Sequence, residues 1–170
     1  QGGTFEMVQL WVNLPKAHKM STPGYQTLMS SQIPVDEWNG GSLRVIAGDY
    51  NGKKGPAKTF TPVGLFDLKL EAGGEAELTF REGDTAALFL LSGDVSIGDT
   101  PVSGDAKLAL LGPEGDTVKV KASADSRVLV LSGEPIREPV AQYGPFVMNT
   151  REELAQAVED YRAGRMGRLH

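Results

Sequence analysis

An all-β sandwich or barrel with one C-terminal α-helix is the fold this sequence predicts, on three observations. Turn formers punctuate the chain, with 21 glycines and 10 prolines in 170 residues, the density of many short strands joined by tight turns. Between the turns lie short runs rich in Leu and Val, several alternating apolar and polar residues as a half-buried strand does. A single stretch near the C-terminus repeats its apolar residues at helical period.

Taken in order, residues 5–14 (FEMVQLWVNL) read as an isolated strand ended by Pro15, which has no N–H to donate. Residues 16–41 are polar, broken by Pro23 and Pro34, and read as a connecting segment. Strands are then expected at 43–47, 59–61, 65–70, 76–80, 86–91, 94–97, 107–111, 117–121 and 127–131. Turn signals separate them, among them Gly48-Asp49, Gly73-Gly74, Gly83-Asp84, Gly98-Asp99 and Ser132-Gly133. In 117–121, Val118 and Val120 point one way while Thr117, Lys119 and Lys121 point the other. Residues 86–91 are apolar on both faces and predict a central strand. The helix begins with a capping box, Thr150 as N-cap and Glu153 at the third helical position. Leu154, Ala157, Val158 and Tyr161 then form one apolar stripe, and Gly164 supplies the stop. That stripe needs a surface, on this domain or on a partner.

Composition excludes several functions. There is no cysteine, so disulfides, thiolate metal sites and cysteine nucleophiles are ruled out. The net charge of −5 argues against nucleic-acid binding. No apolar run reaches the ~18 residues of a membrane-spanning helix, and no secretory signal is visible, so a cytoplasmic protein is expected. The two histidines, His18 and His170, cannot build a three-histidine metal centre. His18 reads as an exposed loop residue and His170 as the frayed terminus. Glu71, Glu75, Glu77, Glu82 and Asp84 are better explained as solubilising residues on turns and outward faces than as paired carboxylates for acid–base work. The glycine-rich stretches at 73–77 and 112–116 precede no helix, so they read as hairpin turns rather than phosphate cradles.

Three stretches carry a resemblance: QLWVNLP at 9–15, SGDVSIG at 92–98, and above all SGEPIREPVAQYGPFVMNTREE at 132–153. Together they resemble the second half of the pirin family. The resemblance implies a bicupin, two jelly-roll sandwiches in one chain, with iron (or another divalent metal) held in the first cupin by three histidines and a glutamate. Those ligands lie upstream of the LWVNLP strand, so none can be carried onto a position here. On this reading, residues 1–15 are the terminal strand of a missing N-terminal cupin and 16–41 the connection. Residues 42–148 are the C-terminal cupin and 149–164 its helix.

The second cupin can be tested against the motifs by which cupins hold metal. Anchoring the first motif on Gly74 and Gly93 puts Phe80, Glu82 and Ala86 where two histidines and a glutamate belong. Anchoring on Gly73 gives Thr79, Arg81 and Ala86, and the second motif places Ser126 at its histidine. Such a set supplies at most one carboxylate, too few donors for iron or zinc. The expectation is therefore no metal ligand, no cofactor and no catalytic residue in this chain. For the intact protein the resemblance implies quercetin 2,3-dioxygenase activity in bacterial members. The alternative it implies is a non-enzymatic regulator that binds other proteins, transcription-related ones included. The expected partner in either case is the N-terminal cupin half, with no direct nucleic-acid or membrane contact. Trp11, Tyr143, Phe146 and Met148 are the candidate docking residues for that half, and Arg137 and Glu138 a candidate ion pair beside them.

Overall fold

The computed structural model describes residues 2–3 and 5–167. They form two compact units, one of Tyr25–Pro135 and the other drawn from both ends, Gln1–Gly24 with Ile136–His170.

The larger unit is a β-sandwich. Its first sheet contains β1 (Val35–Trp38), β2 (Gly41–Ala47), β5 (Val63–Leu70), β7 (Thr85–Ser92), β10 (Lys107–Leu110) and β12 (Ser126–Gly133), in the order β1-β2-β5-β12-β7-β10. The second contains β6 (Glu75–Thr79), β8 (Asp94–Ile97), β9 (Thr100–Ser103) and β11 (Thr117–Ala122), in the order β6-β11-β8-β9. A small hairpin, β3 (Asp49–Tyr50) with β4 (Lys53–Lys54), stands at one end. Every strand pair is antiparallel, and neighbours in a sheet are mostly distant in sequence because the chain repeatedly crosses between sheets.

Register explains the core. Val128 lies opposite Leu68 on one side and Leu90 on the other, and Val130 opposite Phe66 and Leu88. These rows face inward with Leu43 and Val45, and meet Leu78, Val95 and Val120 of the second sheet, all buried. Glu75 and Glu77 fall on the opposite face of their sheet, pairing Lys121 at 3.4 Å and Lys119 at 3.6 Å across the ladder. They are outward, solvated charges, as their alternation predicts.

Several expectations need correction. The stretch expected as a connection contains β1, whose Trp38 indole donates to the Glu75 carbonyl at 2.9 Å. Residues 59–61 are a loop: Thr59 Oγ1 donates to Thr61 O at 2.6 Å, a local bond that competes with strand pairing. Residues 86–91 do lie in a strand, β7, but one place from the sheet edge; β5 and β12 are central. The turns at 73–74 and 112–116 are not hairpins, since each carries the chain from the first sheet to the second.

The smaller unit holds the hairpin of β13 (Ala141–Tyr143) and β14 (Phe146–Met148), followed by α1 (Arg151–Arg162). The capping box forms as the sequence predicts, Glu153 N donating to Thr150 Oγ1 at 3.2 Å and Thr150 N to Glu153 Oε2 at 3.1 Å. The stripe of α1 finds its surface on that hairpin: Ala157 is buried, and the Phe146 and Tyr161 rings meet edge-on at 5.9 Å. Residues 5–14, expected as a strand, pair with nothing in a ladder, and Phe5, Met7, Trp11 and Val12 are exposed. Extended backbone becomes a strand only with a partner edge, and none of the described residues supplies one. His18 sits exposed in a short 3₁₀ turn, and His170 lies outside the described residues. Among the described residues no helix is long and apolar enough to cross a membrane.

Candidate functional site

The first-motif positions gather at one end of the sandwich. Phe80 follows β6 directly, Glu82 is exposed in the turn, and Ala86 is buried near the start of β7. The residue that faces Ala86 across the sheet is Ser132. Ser126, placed at the second-motif histidine by counting along the chain, lies at the other end of β12, about 20 Å of strand away. It is a buried structural serine: its Oγ accepts from Asp94 N at 3.0 Å and donates to Ala124 O at 2.7 Å. Counting missed Ser132 because cross-strand register, not spacing, brings it to Ala86.

The donor set does not fit a metal. Phe80 and Ala86 have no ligating atom, and Glu82 points into solvent from a turn. Among the described residues no group of three or more His, Cys, Asp or Glu side chains could hold an ion. The barrel interior is lined by leucine and valine. What stands at this end is an open cleft of about 800 Å³ with Phe60, Phe66, Phe80, Arg81, Asp84 and Ser132 among its lining.

The interface candidates all fall in the smaller unit. Trp11 and Met148 line one shallow groove of about 500 Å³ together with Val12, Leu14 and Val147. Tyr143 is exposed at the hairpin turn, whereas Phe146 is half-buried beneath the helix. Glu138 does not pair with Arg137. Its Oε2 instead accepts from Lys16 N at 2.7 Å and Asn149 Nδ2 at 3.1 Å, and Asn149 also donates to Pro139 O at 2.9 Å. The Arg137 backbone is left-handed, φ 53°. Lys19 Nζ donates to Asn13 Oδ1 at 2.7 Å and Val147 O at 3.0 Å, and Lys16 Nζ reaches Glu153 at 3.4 Å. The Glu153 carboxyl is held below the ordinary glutamate range, first by the Asn149 backbone N–H, then by Lys16 and the Thr150 N–H. These contacts staple residues 13–19 to the segment between Glu138 and Glu153.

Two antiparallel sheets of six and four strands, with crossovers between them and one terminal helix, define a cupin-type jelly roll. The Pirin C-terminal cupin domain family matches residues 65–167, more than half of the sequence, and the chain belongs to the pirin family. It is 47% identical over 171 residues to a Pseudomonas aeruginosa protein that bears the provisional name quercetin 2,3-dioxygenase, covering 99% of this chain and 59% of that protein. It is 42% identical to pirin of Homo sapiens over 167 residues, covering 94% of this chain and 57% of that one. The crystal structure of a quercetin 2,3-dioxygenase from Acinetobacter baumannii superposes with a TM-score of 0.87 at 40% identity, over 92% of this chain and 55% of that one. The chain thus spans somewhat more than half the length of these relatives.

Proposed function

We propose that this chain is the C-terminal, metal-free half of a two-cupin protein and that it supports an N-terminal iron-binding cupin with quercetin 2,3-dioxygenase activity. The observation that carries the reading is the donor set: Phe80, an exposed Glu82 and Ala86 fall where the first cupin motif calls for two imidazoles and a carboxylate, and Ser126 where the second calls for an imidazole. With no ligand to offer, this half contributes structure. The exposed apolar side chains of Phe5, Met7 and Trp11 mark the segment on which we place the first cupin, residues 5–14 adding a strand to its sheet.

The relatives named for quercetin 2,3-dioxygenase support the enzymatic reading, and the likeness to human pirin, 42% identical, supports a second, in which the same two-cupin body binds other proteins without turnover. The test is to add ferrous iron and quercetin to the protein carrying both halves and follow the flavonol absorbance in air. Iron-dependent loss of that absorbance by the two-half protein, with none by the 170-residue chain, is expected. An inactive iron-loaded two-half protein would favour the second reading, and turnover by the single half would overturn the assignment of this half.

A further inference from the structure

The cleft at the end of the sandwich has its own chemistry. Its floor is Phe66, 5% exposed and held by the Tyr50 ring at 5.8 Å, whose hydroxyl donates to Glu77 O at 3.2 Å. Phe80 forms a wall and Phe60 stands half-exposed on the loop above. That loop is fastened rather than loose. Gly55 N donates to Gly48 O at 2.8 Å and Ala57 N to Ile46 O at 3.0 Å. The Gln26 amide grips both backbone groups of Lys58, donating to its carbonyl at 2.8 Å and accepting from its N–H at 3.0 Å. The cleft is therefore formed in advance of any ligand.

The rim carries charges of both signs. Lys54, Lys58 and Arg81 line the cleft against Asp49 and Asp84. Asp84, with only 8% of its side chain exposed, clamps Arg81 at 3.1 Å, Glu134 approaches the same guanidinium at 3.7 Å, and Asp49 lies opposite Lys54 in the β3–β4 ladder. Lys58 forms no ion pair among the described residues, although its backbone is pinned at the edge of the aromatic walls. Ser132, across from Ala86, adds a hydroxyl to the lining. Three phenylalanines with one uncompensated ammonium and a hydroxyl suit a flat apolar body that carries a single negative charge.

We propose that the mouth of this metal-free barrel binds a small aromatic carboxylate, with its ring among Phe60, Phe66 and Phe80 and its carboxylate on Lys58. This site goes beyond a supporting role and does not depend on the first cupin, since every residue of it belongs to the larger unit. The test uses the complete 170-residue chain, isotope-labelled, titrated with 2-naphthoate and separately with uncharged 2-naphthalenemethanol while backbone amide resonances are followed. Saturable shifts confined to residues 55–64, 79–84 and Ser132 are expected, with the carboxylate binding more tightly. Lys58→Glu should weaken 2-naphthoate by about tenfold, the scale of one charge-assisted contact, and leave 2-naphthalenemethanol unchanged. Lys58 is exposed, so this variant keeps its fold, and unchanged resonances elsewhere verify that. No saturable shift at millimolar ligand, shifts at another surface, or equal affinity for the two probes would each overturn the proposal.

Discussion

Asp67 shows how much one residue organises on the outer face of the six-stranded sheet. It is 6% exposed and lies between Arg44 at 3.4 Å and Arg127 at 3.8 Å. Arg44 in turn donates to Ser30 Oγ at 3.3 Å, which ties the chain ahead of β1 to the sheet. Both arginines keep about a third of their side chains in solvent, which discounts the value of a fully buried pair. Asp67→Ala, which leaves two guanidinium groups facing each other, should cost about 2 kcal/mol in urea unfolding. At the far end of the sandwich, Gly93 has φ 97°, and a Cβ there would meet Ser126 Oγ at 2.4 Å and Asp125 O at 2.5 Å. Gly93→Ala therefore combines backbone strain with a clash against the serine that anchors Asp94. It should destabilise by roughly 2–4 kcal/mol in the same measurement.

At the scale of elements, the capping box makes α1 sensitive to acid. Native Glu153 titrates below its unfolded value, because the charged form accepts from Asn149 N–H and faces Lys16. The stabilisation is thus present above the unfolded glutamate pKa, and it is lost as pH falls through the lower native one. Amide shifts of Glu153 and Ala157 should move in the wild type only once pH has fallen below the unfolded glutamate pKa, and Glu153→Gln should abolish that step. Thr150→Ala, which removes the other half of the cap, should cost about 1 kcal/mol, read as faster hydrogen exchange in α1. This helix was legible in the sequence because its cap, stripe and stop all lie within fifteen or so neighbouring positions. The long strands were legible too, since β5, β7, β11 and β12 each run for six or more residues of patterned hydrophobicity. The pieces that were not legible, β1, β3, β4, β9, β13 and β14, are two to four residues long, too short to show a period. The cleft was hidden for another reason. Ser132 meets Ala86, and Lys58 reaches the rim, through register and a loop anchored by Gln26, neither of which spacing along the chain encodes.

At the scale of the whole molecule, the two units divide the work. The sandwich carries the buried apolar core, and the unit built from the two ends of the chain leaves Phe5, Met7, Trp11 and Tyr143 in solvent. On the proposed function, these side chains are where the first cupin would dock. If the first cupin is that partner, the 170-residue chain and a separately produced N-terminal half should associate on mixing. Trp11→Glu should weaken that association by tenfold or more without altering the stability of the sandwich.

The proposed supporting role rests most heavily on the chemistry of the barrel end, where Phe80, Ala86 and Ser132 offer neither imidazole nor carboxylate. Its most direct test is the metal content of the purified 170-residue chain after anaerobic loading with ferrous iron and gel filtration, measured by mass spectrometry. Iron is expected to elute with the buffer and leave the protein bare. Iron retained in equimolar amount with the chain would contradict it.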